Sequence, residues 1–180
     1  MRRSKDWLAH IADVQMKAAP GTLFLYKEWD VILLSALIGK ACGGLAWDIV
    51  WEYLYKPLGI VGEKWLVQNN DSLNYNADVE NKMPEDGGDK MTAKNMAKIG
   101  RLMLNGGVWD GQRIVSEKYI TDSIAPSPTN KGYGYLWWLS DKGYHARGFG
   151  GQEINVYSDK NIVAVVQATV TTSSKFYSDM

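Results

Sequence analysis

"GYGYLWWLSDKGYHARGFGGQEINVYSDKNIVAVVQATV", residues 132–170, decides the fold class. It contains three strand-like runs, "GYGYLWWLS", "YHARGFGGQEINVYS" and "NIVAVVQATV". Asp141-Lys142-Gly143 and Ser158-Asp159-Lys160 stand at the breaks, and both are good tight-turn sequences. Consecutive strands joined by short turns predict an antiparallel meander. The glycines of "GFGG", residues 148–151, fall inside the middle run. Glycine inside a strand marks a bulge or the close approach of a ligand or another backbone, and both readings stay open.

Upstream of Gly132 the period is helical. Ser4 can cap a helix to about Lys17, with Trp7, Leu8, Ile11 and Val14 near one face. A turn at Pro20-Gly21 leads to a second helix starting at Asp30, "DVILLSALIGKACGG". It is apolar almost all round, which predicts burial, and Gly43-Gly44 ends it. "AWDIVWEYLYKPLGI" predicts a third helix stopping at Pro57. Thr92 caps a fourth through Leu104, with Met96, Ile99 and Met103 in register. Asp110-Gly111 reads as a hairpin-like turn, followed by a helix capped by Ser116. Residues 68–90, rich in Asn, Asp and Gly, read as a long surface loop. Helices followed by a meander make an α+β fold, and the whole of 1–180 reads as a single partial domain.

The bulk numbers narrow the function. Of 180 residues, 46% are hydrophobic and 22% charged, with zero formal net charge. Nothing in that balance attracts a phosphate backbone, so nucleic acid is not an expected partner. Cys42 is the single cysteine, which excludes an internal disulfide, and its apolar setting predicts burial. No segment has the apolar length of a membrane span. "MRRSKDWLAHIADV" lacks the apolar h-region and cleavage site of a signal peptide.

Candidate chemistry is sparse. Only His10 and His145 exist. No Gly-x-Ser-x-Gly elbow offers a serine to either, and no His-x-x-x-His spacing suggests zinc. His10, on a helix face, reads as structural. No metal or organic cofactor is implied. "APGTLFLYKEWDVILLSAL", residues 19–37, places Tyr26 beside Lys27 and Glu28 at the entry to an apolar helix. That phenol either packs or moves a proton.

The order of the pieces distinguishes these readings. "PGTLFLY", a long apolar helix, "PLGI", "MTAKNMAKIGRLMLNGGVWDGQRIVSEKYI", "GYGYLWW" and "YHARGFGGQEINVYSDKNIVAVV" follow one another. The series resembles the C-terminal two-thirds of the β-lactamase-related serine hydrolases. These penicillin-recognising proteins include class C β-lactamases, carboxypeptidases, esterases and aminohexanoate-oligomer hydrolases. The resemblance implies a β-lactamase/transpeptidase-like fold, incomplete at its N-terminal side, and hydrolysis of an amide or ester through an acyl-serine. Tyr26 matches the family's phenol, which relays protons together with a lysine.

Two departures go with the match. The residue usually Asn or Ser two places after that tyrosine is Glu28. The Lys-Thr-Gly strand is replaced by "YHARGFGGQ", whose edge would offer an oxyanion-hole N–H from near Arg147 or Gly148, with His145 on the same strand. Both changes argue against efficient β-lactam hydrolysis. No serine is followed by lysine three residues on, so the nucleophile is expected outside this chain. The alternative is a non-catalytic peptide- or glycan-binding remnant, using an aromatic rim of Tyr133, Tyr135, Trp137, Trp138 and Tyr144. A small amide or ester substrate is the expected partner, and an exposed sheet edge could support an oligomer. The family is often secreted or periplasmic; any export signal would lie upstream.

Overall fold

The structure is a computed structural model of the 180-residue chain, and it describes residues 6–61, 66–68, 73–75, 91–148 and 151–168. The chain divides into two units, residues 1–90 and 91–180, and each is described by itself.

In the first unit, α1 spans Trp7–Ala12. Its cap is Asp6, whose carboxylate accepts from the Ala9 N–H at 2.9 Å. The expected cap, Ser4, lies outside the described residues. The helix stops well before Lys17, with the acidic Asp13 at a C-terminus whose dipole disfavours a carboxylate. The turn at Pro20-Gly21 forms as expected, with Gly21 at φ 76° and Thr22 donating from both N–H and hydroxyl to the Ala19 carbonyl. Helix α2, Glu28–Cys42, begins two residues before Asp30 and ends at the left-handed Gly43.

α2 is not buried all round. Ile32 packs with Trp7, Leu8, Ile11 and Ala36, but Leu33, Leu34, Leu37 and Ile38 are exposed. Cys42 is exposed too, contrary to the expected burial. An apolar pattern fixes how much of a helix can be covered; it does not supply the neighbour. α3, Ala46–Val50, runs into one π-helical turn at Trp51–Tyr55 and stops before Pro57. Tyr55, Leu58 and Ile60 are buried after it. Strands β1, Leu66–Gln68, and β2, Leu73–Tyr75, form an antiparallel hairpin beside α2. Strand residues thus occur within 68–90, and 69–72 and 76–90 lie outside the described residues. No single described helix is long and apolar enough to cross a membrane.

In the second unit, α4, Ala93–Leu104, is capped by Thr92, which accepts from the Asn95 N–H at 3.2 Å. β3, Val108–Trp109, and β4, Gln112–Arg113, close around Asp110-Gly111, both at positive φ. α5, Glu117–Ser123, is capped by Ser116. The meander follows as β5 (Trp138–Ser140), β6 (Gly143–Arg147), β7 (Glu153–Tyr157) and β8 (Ile162–Val166), antiparallel and in chain order.

Four strands stand where three runs were expected, because the middle run folds back on itself. Gly148 donates to the Gln152 carbonyl at 2.8 Å and Gly151 donates to the Gly148 carbonyl at 3.0 Å, with Gly151 at φ 86°. Gly148 and Gly151 therefore flank a hairpin connection between β6 and β7 rather than a bulge within one strand; Phe149 and Gly150 lie outside the described residues.

Period-two alternation gives each strand of the sheet one face toward α4. Tyr144, Ile154 and Val156 pack there with Met96, Met103 and Ile120, and Val163 and Val165 join them. α4 approaches so closely at Gly100 that a Cβ there would lie 2.5 Å from a Val163 methyl and 2.9 Å from an Ile154 methyl.

Candidate active site

Tyr26 stands outside regular secondary structure, two residues before α2, with 58% of its surface exposed. The turn at Pro20-Gly21 and the start of α2 fix the two ends of its segment. Lys27 is the N-cap residue in extended conformation, and Glu28 opens the helix. An apolar cleft of about 920 Å³ lies next to this segment, lined by Leu25, Lys27, Leu33 and Leu37 among others, but not by Tyr26.

The other candidates sit on β6 and its turn. His145 and Arg147 share the sheet face opposite α4, because their parity differs from that of buried Tyr144. Register sets His145 against Asn155 on β7 and Trp138 on β5, and Arg147 against Glu153. The Arg147 guanidinium meets the Glu153 carboxylate at 3.0 Å, and Asn155 donates to the other Glu153 oxygen at 3.1 Å. Glu153 thus holds two side chains on that face, Arg147 and Asn155. Burial pushes the half-buried His145 imidazole below the usual histidine range. The Arg147 charge adds to this, and Glu153 acts in the opposite direction.

The two oxyanion-donor candidates separate. Gly148 N–H is committed to the Gln152 carbonyl. In an antiparallel ladder successive N–H groups point to opposite sides, so Arg147 N–H points away from β7. On that side β5 begins only at Trp138, opposite His145. The Arg147 N–H therefore lies at the open edge of β6. Under the turn, Gln152 Oε1 is buried with no hydrogen-bond partner among the described residues.

The aromatic rim does not form as one face. Tyr133 is buried and packs edge-on against Trp138 at 4.7 Å. Tyr135 is exposed beside Tyr119, and Trp137 packs edge-on against buried Tyr144. The expected alternation fails because Leu136 takes φ 65° and Gly134 donates to the Trp137 carbonyl, which makes a turn of this segment. Burial raises the Tyr144 phenol above its ordinary value, with a hydrogen bond to Ser158 opposing. His10 packs edge-on against Trp29 at 5.6 Å, in keeping with its structural reading. Among the described residues no cluster of His, Cys, Asp or Glu could hold a metal.

Glu153, Asn155 and Gln152 were not singled out from the sequence. The signal was present: Arg147 and Glu153 carry opposite charges on the two sides of "GFGG". Reading those glycines as a hairpin turn would have set the pair opposite one another.

Helix α4 laid on one face of an antiparallel meander is an α+β arrangement consistent with a β-lactamase/transpeptidase-like fold. The sequence profile of the Beta-lactamase family matches residues 1–179, and the chain belongs to that family. Solved structures carry the same fold. A Bacillus anthracis protein assigned as a 6-aminohexanoate-dimer hydrolase aligns over 93% of this chain and 44% of its own, with TM-score 0.76 and 20% identity. A Bacteroides dorei protein assigned as a β-lactamase aligns over 94% and 57%, with TM-score 0.78 and 16% identity. A penicillin-binding protein from Bacillus halodurans aligns over 95% and 60%, with TM-score 0.68 and 19% identity. The chain thus spans roughly half the length of these proteins, between 44% and 60%.

Proposed function

We propose that the chain supplies the proton-relay part of a serine hydrolase acting on an amide or ester, with Tyr26 as the relay. The nucleophile would be the serine of a Ser-x-x-Lys helix lying outside residues 1–180. In the first step the serine oxygen bonds to the substrate carbonyl carbon and the C–N or C–O bond breaks. The proton lost by the serine passes through the phenol to the leaving group. Water then takes the serine's place and releases the acid. A phenol can accept a proton as its anion and return it as the neutral hydroxyl, which suits a relay. The Arg147 N–H, at the open edge of β6, is the donor assigned to the carbonyl oxygen as charge develops there.

One observation carries this reading. Tyr26, which stands where the resemblance expects the phenol, is 58% exposed rather than part of a core. A packing role would have buried it. The binding-remnant alternative gains nothing from the structure, since Tyr133 and Tyr144 of its rim are buried.

The test is ester turnover by a polypeptide that joins this chain to a Ser-x-x-Lys helix. Tyr26→Phe keeps the ring and removes the transferable proton, and is expected to lower kcat by about 10²-fold or more with little change in KM. Unchanged kcat in a variant that folds normally overturns the relay role.

A further inference from the structure

We propose that Glu153 is a positioning residue for the oxyanion donor: it sets the place of the Arg147 N–H by holding the Arg147 side chain across the sheet. This rests on the hydrolase reading above, in which that N–H meets the developing charge. Arg147 is the last residue of β6, and Glu153, the first of β7, is its register partner. The Gly148 N–H donates to the Gln152 carbonyl at 2.8 Å, so the next pair inward, Arg147 with Glu153, is a non-hydrogen-bonded one. Both main-chain groups of Arg147 therefore point away from β7. On the other side, the β5–β6 register continued would set Leu136 opposite Arg147. Leu136 has left the ladder: its φ is 65° and its N–H donates to the Gly134 carbonyl. The ladder thus gives Arg147 no hydrogen bond of its own toward β7 and no strand partner in β5.

The side chain supplies the missing tie. Side chains of a non-hydrogen-bonded pair lie closest, with Cα atoms about 4.5 Å apart. Arg147 Nε meets Glu153 Oε1 at 3.0 Å, and Asn155 Nδ2 donates to Oε2 at 3.1 Å, so both carboxylate oxygens are occupied. The Glu153 side chain is 15% exposed. A carboxylate so far out of water is costly to leave unpaired, which makes this contact stronger than an exposed ion pair. An oxyanion donor works only within about 2.7–3.1 Å of the developing charge, and a misplacement of about 1 Å can cost about 10²-fold in rate. An end of β6 freed from Glu153 loses that placement.

The test uses the polypeptide that joins this chain to a Ser-x-x-Lys helix, with a matched ester and thionoester as substrates. Sulfur is the weaker acceptor, so a well-placed donor favours the oxygen ester, and the rate ratio of the two reports donor placement apart from the proton relay. Glu153→Gln is expected to lower kcat on the ester about tenfold or more with little change in KM, and to lower the ratio about tenfold or more. Tyr26→Phe is expected to slow both substrates and leave the ratio as it was. Arg147→Glu alone is expected to lose the ratio, and Arg147→Glu combined with Glu153→Arg to restore it, because the pair is rebuilt in reverse. Circular dichroism checks that each variant folds, and if Glu153→Gln does not, the double exchange decides. A ratio unchanged in folded Glu153→Gln, or not recovered in the folded double exchange, overturns the positioning role. The relay reading stands in that case if Tyr26→Phe still lowers kcat. A fall in the ratio for Tyr26→Phe as large as for Glu153→Gln also overturns the positioning role, since the loss would not be specific to the strand edge. A joined wild-type polypeptide with no turnover overturns both readings.

Discussion

Arg147 ends strand β6, and its guanidinium is held by the Glu153 carboxylate across the turn. His145, two residues earlier, feels the same charge. Its imidazole titrates lower in the folded chain than in the unfolded one, so folding favours its neutral form. The stability that follows is fully present above about pH 6.5, the ordinary histidine value, and is lost as pH falls below that value and through the lower folded-state one. Urea melts at neutral and mildly acidic pH should therefore show wild-type stability falling on acidification, and His145→Asn should flatten that fall. An equal fall in both proteins would place the titrating group elsewhere. At this scale the sequence was least legible. Tyr26 emerged only because its neighbours resemble a family, and Glu153 was hidden because its partner lies across a turn read as strand.

Period-two and helical patterns carried most of the elements. Thr92 and Ser116 cap the helices they were expected to cap, and Asp110-Gly111 turns where expected. The two misreadings share a physical cause. "GFGG" was given a strand's conformation, although glycine permits the positive φ that Gly151 adopts. α2 was taken as buried, although apolarity names no neighbour. The junction of α4 with the sheet makes the sharpest prediction about an element. Gly100 permits the contact with Val163 and Ile154, so Gly100→Ala must displace packed methyl groups. The expected cost is about 1–3 kcal/mol, although alanine is the better helix former. Chemical denaturation measures it, and an unchanged or raised midpoint would show that α4 does not rest on the sheet as described.

For the molecule as a whole, fold class was legible because the order of segments survives even at 16–20% identity to the solved relatives. The division of the site is the central claim. In the proposed division residues 1–180 would supply the phenol and the strand-edge amide, and no serine among them is followed by lysine three residues on. The most direct measurement is the intact mass of the 1–180 chain after reaction with a fluorophosphonate, beside the same chain joined to a Ser-x-x-Lys helix. The account predicts no adduct on the first and one phosphonyl group on the added serine of the second. A stoichiometric adduct on any serine of 1–180 alone would contradict it.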